Sequence, residues 1–372
     1  MIFSCSTKEL SSACQAVSKA VTTRSDIPAL TGIKIDADGA YVTLCGYNLE
    51  LGITTTIPAS VQEPGGIVID AKMLCQMIKR SPESITKISV DSKSMATVQS
   101  GTSRFDIVGI PVSEYPELPA VEEKSSIDIS QPILRSMIQQ TAYAVATNDY
   151  KPIFTGVLFE ASGGKLVAVG TDGYRLAICK EPINYTGTDF NFVVPAKALS
   201  EISKLLSADS DDVVHISVAS RGARFSIGAY MVFARLLEGE FLDYKAVLPK
   251  QCTTSLKVNV KDFLGSVQRV SLLIDDKVRS PLTCDFSGAD SAIKLSSNTA
   301  VGKASDSVSA EISGEDVHIG FNNMFLIDAL SHTDCDEVRL QLNGPLNPMV
   351  ITPDDGDSSL FLVLPVRLKS GE

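Results

Sequence analysis

The chain has 372 residues, of which 44% are hydrophobic, 21% charged and none tryptophan, and it carries a formal net charge of −11. At roughly 150 residues per domain two or three domains are expected, the apolar content excludes intrinsic disorder, and the acidic balance argues against a protein that simply coats nucleic acid, whose footprint is basic. The opening MIFSCSTKEL has no basic stretch leading into an apolar core, and no apolar run reaches the roughly 20 residues of a membrane span, so a cytoplasmic protein without a membrane partner is expected.

In chain order, a helix-like stretch, STKELSSACQAV, precedes short strand patterns punctuated by turns such as Asp38-Gly39, and GGIVIDAKML then reads as strand, turn and helix start. After VEEKSS (121–126), SQPILRSMIQQTAYAV opens a second series. Ser130 is its expected N-cap, Pro132 falls in the first turn, and Leu134, Ile138, Ala142 and Val145 form one apolar stripe at helical spacing. Strands follow, up to VGTDGYRLAICK (169–180), where an Asp-Gly turn carries the pair Tyr174 and Arg175 into an apolar run. DFNFVVPAKAL then reads as strand, turn and second helix start, with more strands after it. After PKQCTTS (249–255) a third runs from NVKDFLGSVQRV through SPLTCDF and EDVHIGFNNMFL to the last strand, VLPVRL.

The three series repeat one another. Lys72, Lys197 and Asn322 are expected at equivalent places, 125 residues apart, and Gly32, Gly156 and Pro281 agree at steps of 124 and 125. A step of that length is a whole domain. The chain therefore reads as a triplicated α+β domain, 1–122, 127–249 and 252–372, each copy placing two helices on antiparallel sheets. CGYNLEL (45–51) and SSNTAVG (296–302) stand where the second copy has TDGYRL, so the Asp-Gly-Tyr-Arg combination is not a requirement of the repeat.

Charge is sorted along this pattern. The six expected helix windows (7–24, 71–80, 130–145, 195–206, 260–270 and 322–331) hold eleven basic and four acidic residues, a net +7 within a chain of −11. Lys72 and Lys79 share one helix face opposite Leu74, and Lys197 and Lys204 repeat the spacing opposite Leu199 and Ile202. An acidic body with basic helices suits a protein that meets a polyanion on one surface. The third copy departs, since its second helix has no lysine.

Catalytic and metal motifs are missing. The eight cysteines are scattered without C-x-x-C and read as buried reduced thiols, and the three histidines lie in different segments. No phosphate loop, nucleophile elbow, H-E-x-x-H or EF-hand loop is present. No cofactor, metal or catalytic residue is expected. The rival reading from another class is an enzyme using Asp172, Tyr174 and Arg175 as a catalytic cluster.

TDGYRLA (171–177), GEFLDYKAVLP (239–249), IGFNNMF (319–325) and VLPVRL (363–368), together with the triplication, resemble the bacterial DNA polymerase III beta subunit family, the replicative sliding clamps, over essentially the whole chain. The resemblance implies a DNA-clamp fold closing as a head-to-tail ring homodimer around double-stranded DNA, bound without regard to sequence, as a non-catalytic processivity factor for DNA replication. It also implies partners: the replicative polymerase, the clamp loader and other proteins carrying a short clamp motif. A non-DNA scaffold on the same fold is the further alternative.

By the resemblance, DNA contacts fall on Arg24, Lys72 and the loop Asp149, Tyr150 and Lys151, with Lys79, Lys197 and Lys204 added from the helix faces. In that loop Pro152 and Ile153 replace more aromatic and amide-rich family residues. The partner-peptide groove would be formed by Phe154, Thr171, Gly173, Tyr174, Arg175 and Leu176, then Leu242, Val247 and Val278, then Asn322, Phe325, Leu346 and Pro348. The terminal run Leu362, Val363, Leu364, Pro365, Val366, Arg367 and Leu368 completes it. Leu176, Val247, Leu362 and Leu364 would take apolar anchors, Gly173 would allow close backbone approach, and Arg175 and Arg367 would donate to peptide carbonyls. Leu242 stands where the family usually has proline, and KSGE follows Leu368 where many members end. The ring interface would pair an edge strand holding Phe105 and Ile107 with Leu272 and Leu273 on the first helix of the third copy. The nearly uncharged NTAVGKASDS (298–307) leaves apolar packing and strand pairing to close the ring.

Overall fold

In the computed structural model, residues 1–148, 150–275 and 280–368 are described, and they form strands and short helices in alternation. The helices are α1 (Thr7–Val17), α2 (Ala71–Lys79), α3 (Gln131–Ala142), α4 (Ala196–Leu205), the single turn α5 (Tyr244–Val247), α6 (Val260–Ser271) and α7 (Asn323–Ser331). Each long helix follows a strand with no intervening loop. A polar side chain makes the switch: Ser6, Asp70, Asn259 and Asn322 accept backbone N–H groups from the first turns of α1, α2, α6 and α7. Buried faces follow helical spacing, as with Leu10, Ala13, Cys14 and Val17 on α1 or Phe263, Val267 and Val270 on α6.

The chain divides into two contact units. The first, Met1–Arg135 with Lys197–Leu236, holds two antiparallel sheets. In one, Ser60–Glu63, Ile2–Ser6, Ile85–Val90, Met95–Ser100 and Ser103–Val108 lie in that order. In the other, eight strands run from Ser125–Ser130 through Val213–Val218, Gly222–Ile227 and Tyr230–Arg235 to Leu51–Pro58, Tyr41–Tyr47, Gly32–Asp38 and Gly65–Asp70. The second unit, Ser136–Ala196 with Leu237–Glu372, holds a nine-stranded and a four-stranded sheet. The nine-stranded sheet pairs Arg175–Pro182 with Ser359–Val363. The four-stranded one ends on Gly302–Ser309.

Sheets are thus shared between copies of the repeat. The hairpin strand Leu51–Pro58 of the first copy pairs with Tyr230–Arg235 of the second, and its counterpart Arg175–Pro182 of the second copy pairs with Ser359–Val363 of the third. The third member, Gly302–Ser309, and the strand Ser103–Val108 have outer edges that pair with no strand among the described residues.

Several sequence expectations change. Asn322 is the cap of α7, equivalent to Asp70, and the place of Lys72 and Lys197 two residues into the helix is taken by the exposed Met324. The second step of the repeat is two residues longer here than the first. The equivalence of Gly32, Gly156 and Pro281 holds, because the first two start strands and Pro281 immediately precedes one. The window 7–24 ends as α-helix at Val17, so Arg24 lies in an exposed bend, and α3 ends at Ala142, short of Val145. Of the eight thiols, Cys75 and Cys335 are half-buried and Cys252 is exposed.

Candidate functional site

The turn that joins Lys165–Thr171 to Arg175–Pro182 is built from its own side chains. One oxygen of Asp172 accepts the backbone N–H of Tyr174 (2.8 Å) and of Arg175 (3.0 Å), and Gly173 takes φ +89°. Thr171 is buried and donates to the Arg175 carbonyl at 2.7 Å. The first copy makes the same turn with Asn48, which accepts from Glu50 and Leu51, and with Leu49 at φ +75°. Asp172 therefore shapes backbone, and Tyr174 projects into solvent at 64% exposure. The arrangement holds no nucleophile and base in contact.

Arg175 is committed to the protein. Its Nε donates to Asp172 at 3.1 Å, Nη1 to Asp328 on α7, and Nη2 to the Tyr143 carbonyl at 2.9 Å, while the guanidinium lies over the rings of Phe325 (4.7 Å) and Tyr143 (5.4 Å). Burial raises the Tyr143 phenol well above its ordinary range. Each nitrogen of the guanidinium that was expected to donate to a bound peptide thus already has an acceptor within the protein. Arg367 is exposed.

Beside this turn opens a cleft of about 700 Å³. Of the expected groove residues, Tyr174, Arg175, Asn322, Phe325, Leu364, Pro365 and Val366 line it. Phe154, Leu176, Leu242, Leu362 and Leu364 belong to one apolar cluster with Ile153, Tyr244 and Val350, and Leu364 is common to cluster and cleft. Leu176 and Leu362 are buried within that cluster and do not line the cleft. Tyr244 in the same cluster donates to Glu160 at 2.6 Å, and burial raises its phenol above the ordinary range. Val363 points into the other core cluster of the unit, and Leu368 packs on Gly320. Val247 and Leu346 are exposed, and Pro348 lines a different hollow with Pro249 and Cys252. Val278 lies outside the described residues, as do Asp149 and the KSGE tail.

Sequence reasoning missed the cleft's third wall. Val145, Ala146, Thr147 and Asn148 follow α3, and Ile274, Ser280 and Pro281 follow α6. Both segments come straight after a helix end in the repeat, a positional signal the sequence did contain.

Among the described residues, the expected DNA contacts are all solvent-facing. Lys72 and Lys79 are exposed on α2 opposite the buried Leu74, and Lys197 and Lys204 on α4 opposite the buried Leu199 and Ile202. Lys204 pairs with Glu201 at 2.8 Å. Tyr150 is 96% exposed, and the Lys151 ammonium sits 4.4 Å from the Phe154 ring centroid. Phe105 and Ile107 lie on the free strand Ser103–Val108 and line a hollow of about 500 Å³ with Met73 and Met77. Leu272 and Leu273 fall just past the end of α6 rather than on it; Leu272 is 83% exposed, and Leu273 lies beside Gly302.

Three copies of a two-helix repeat on shared antiparallel sheets, with lysines on exposed faces of α2 and α4 and a cleft beside the seam of the second and third copies, define the DNA-clamp class. Profiles of the N-terminal, central and C-terminal domains of the DNA polymerase III beta subunit match residues 1–119, 128–243 and 245–367. The beta sliding clamp of Halalkalibacterium halodurans is 36% identical over 94% of this chain and 95% of its own length, and that of Bacillus subtilis is 32% identical over 95% and 96%. The crystal structure of the Bacillus subtilis clamp superposes with a TM-score of 0.96, at 32% identity, covering 99% of this chain and 100% of that one. A Pseudomonas aeruginosa sliding clamp bound to griselimycin gives 0.94 at 27% identity, with coverage of 99% and 100%. The chain belongs to the DNA polymerase III beta subunit family, the bacterial DNA sliding clamps of replication.

Proposed function

We propose that two copies of this chain close head to tail into a ring around duplex DNA, and that the ring tethers the replicative polymerase, the clamp loader and other proteins through short peptides docked in the cleft. The observation that carries this reading is the sequence of sheet seams. Leu51–Pro58 pairs with Tyr230–Arg235, Arg175–Pro182 pairs with Ser359–Val363, and the next strand of the first kind, Gly302–Ser309, is left with a free edge, as is the next of the second kind, Ser103–Val108. A second copy supplies the missing partner on both sides. Phe105 and Ile107 lie on one of those strands, and Leu273, next in the chain to the exposed Leu272, lies beside Gly302 of the other. Three domains, 1–122, 127–249 and 252–372, fit this scheme.

Duplex DNA would meet Arg24, Lys72, Lys79, Tyr150, Lys151, Lys197 and Lys204 through weak phosphate contacts, since topology and not affinity holds the ring in place. The role is non-catalytic. The test is retention on DNA: loaded protein should stay on nicked circles in high salt and leave when the circles are linearised. Equal salt-sensitive loss from both substrates would show ordinary electrostatic binding and end the ring proposal.

A further inference from the structure

We propose that Arg175 is a positioning residue that fixes the α7 wall of the groove and does not itself bond the docked peptide; this rests on reading the cleft as the peptide groove. Every guanidinium nitrogen already has a partner within the protein, and the side chain is 12% exposed. Its partners come from both sides of one seam: Tyr143 and Asp172 from the second copy of the repeat, Phe325 and Asp328 from α7 of the third. The backbone crosses at the same point, where Arg175 stands opposite Val363 and the Leu364 N–H donates to the Tyr174 carbonyl at 3.0 Å.

Phe325 lines the cleft, and Asp328 sits one helical turn further along α7, on the same side. Arg175 thereby sets where that wall stands relative to Leu364 and Tyr174. The turn itself does not need it, because the first copy forms the same turn with Leu51 at the equivalent place. A planar fork is required to reach Asp172, Asp328 and a carbonyl at once while stacking on two rings. Lysine offers a single point charge and reaches one of them.

The experiment measures binding of a fluorescein-labelled peptide carrying a glutamine and spaced apolar residues to wild type, Arg175→Met, Arg175→Lys, Asp328→Asn and the double variant Arg175→Met/Asp328→Asn. Each single variant is expected to weaken binding by about tenfold, a coupling-sized effect for a shared network. The double variant should be within about twofold of Arg175→Met, because both break the same tie. Losses that multiply, or a loss with Arg175→Met and none with Asp328→Asn, would mean that Arg175 touches the peptide and would overturn the proposal. Amide exchange of the peptide-free proteins gives a second readout. It should quicken across α7 in Arg175→Met, and unchanged α7 exchange equally refutes the positioning role. If wild type binds no peptide, the groove reading fails, while the exchange arm still decides whether Arg175 positions α7.

Discussion

At the scale of single residues, one position shows how a repeat solves a packing problem in two ways. Gly46 and Gly170 sit where a strand passes under a helix end, and an added Cβ would lie 2.0 Å from the Val17 carbonyl oxygen and 2.1 Å from that of Thr141. The third copy has Ser297 at this place, and its hydroxyl donates to the Val270 carbonyl at 2.9 Å. Gly170→Ala should therefore destabilise the protein by about 1 to 3 kcal/mol, the usual result of forcing atoms into packed space, seen as a lower urea midpoint with unchanged slope. A second residue-scale case is His215, held between Asp128 (2.7 Å) and Glu123 (3.2 Å), with Ser217 also donating to Glu123. Hydrogen bonds from Ser217, Ser126 and His215 hold the Glu123 carboxyl down to about 2, and the two carboxylates raise His215 above 6.5. The Glu123 contribution is present above its ordinary 4.5 and fades as pH falls toward about 2; the His215 contribution is full below 6.5 and fades as pH rises through its raised value. The melting-temperature gap between wild type and His215→Gln should accordingly be larger at pH 6 than at pH 9.

At the scale of elements, the seam inside the chain would specify the register of the proposed seam between chains. Within the first unit Phe233 stands opposite Gly52 and Val232 opposite Ile53. Carrying that register along the repeat puts Asp106 opposite Lys303 and Phe105 opposite Ala304 across two copies. Opposite charges directly across antiparallel strands contribute about 0.2 to 1 kcal/mol, and like charges destabilise. Asp106→Lys or Lys303→Asp alone should weaken the dimer in sedimentation experiments, and the two together should restore it. Failure of the pair to restore it would refute this register. The elements themselves were largely legible, because hydrophobic period and capping residues are local. Lys72, Lys79, Lys197 and Lys204 fell on exposed faces as their spacing required. What escaped was set by pairing between distant strands. The offset that makes Asn322 a cap hid behind an equal-step alignment, and the acceptors of Arg175 could not be identified until the fold brought the Tyr143 carbonyl and the Asp328 carboxylate to it. The lining of the cleft was hidden for the same reason: Pro348 borders another hollow and Val363 packs in another core cluster, while 145–148 form a wall.

At the scale of the whole molecule, the proposed contact between copies is heterologous, one edge kind against the other, and such contacts give a closed ring only when the rotation they impose closes. The free outer edges of Ser103–Val108 and Gly302–Ser309 also favour pairing with another chain, so closure of the proposed ring would serve solubility as well as topology. Net charge follows the same logic: in the proposed ring an acidic body would repel DNA away from the lysine-bearing helices.

The Asp-Gly-Tyr-Arg turn occurs once per chain, beside a single seam. A rotation that carries one subunit onto the next about an axis through the ring never turns it upside down. The two docking clefts of such a ring would open toward the same side of the hole, giving the assembly a front and a back. Proteins tethered there would all approach the duplex from one direction and compete for the same frontage.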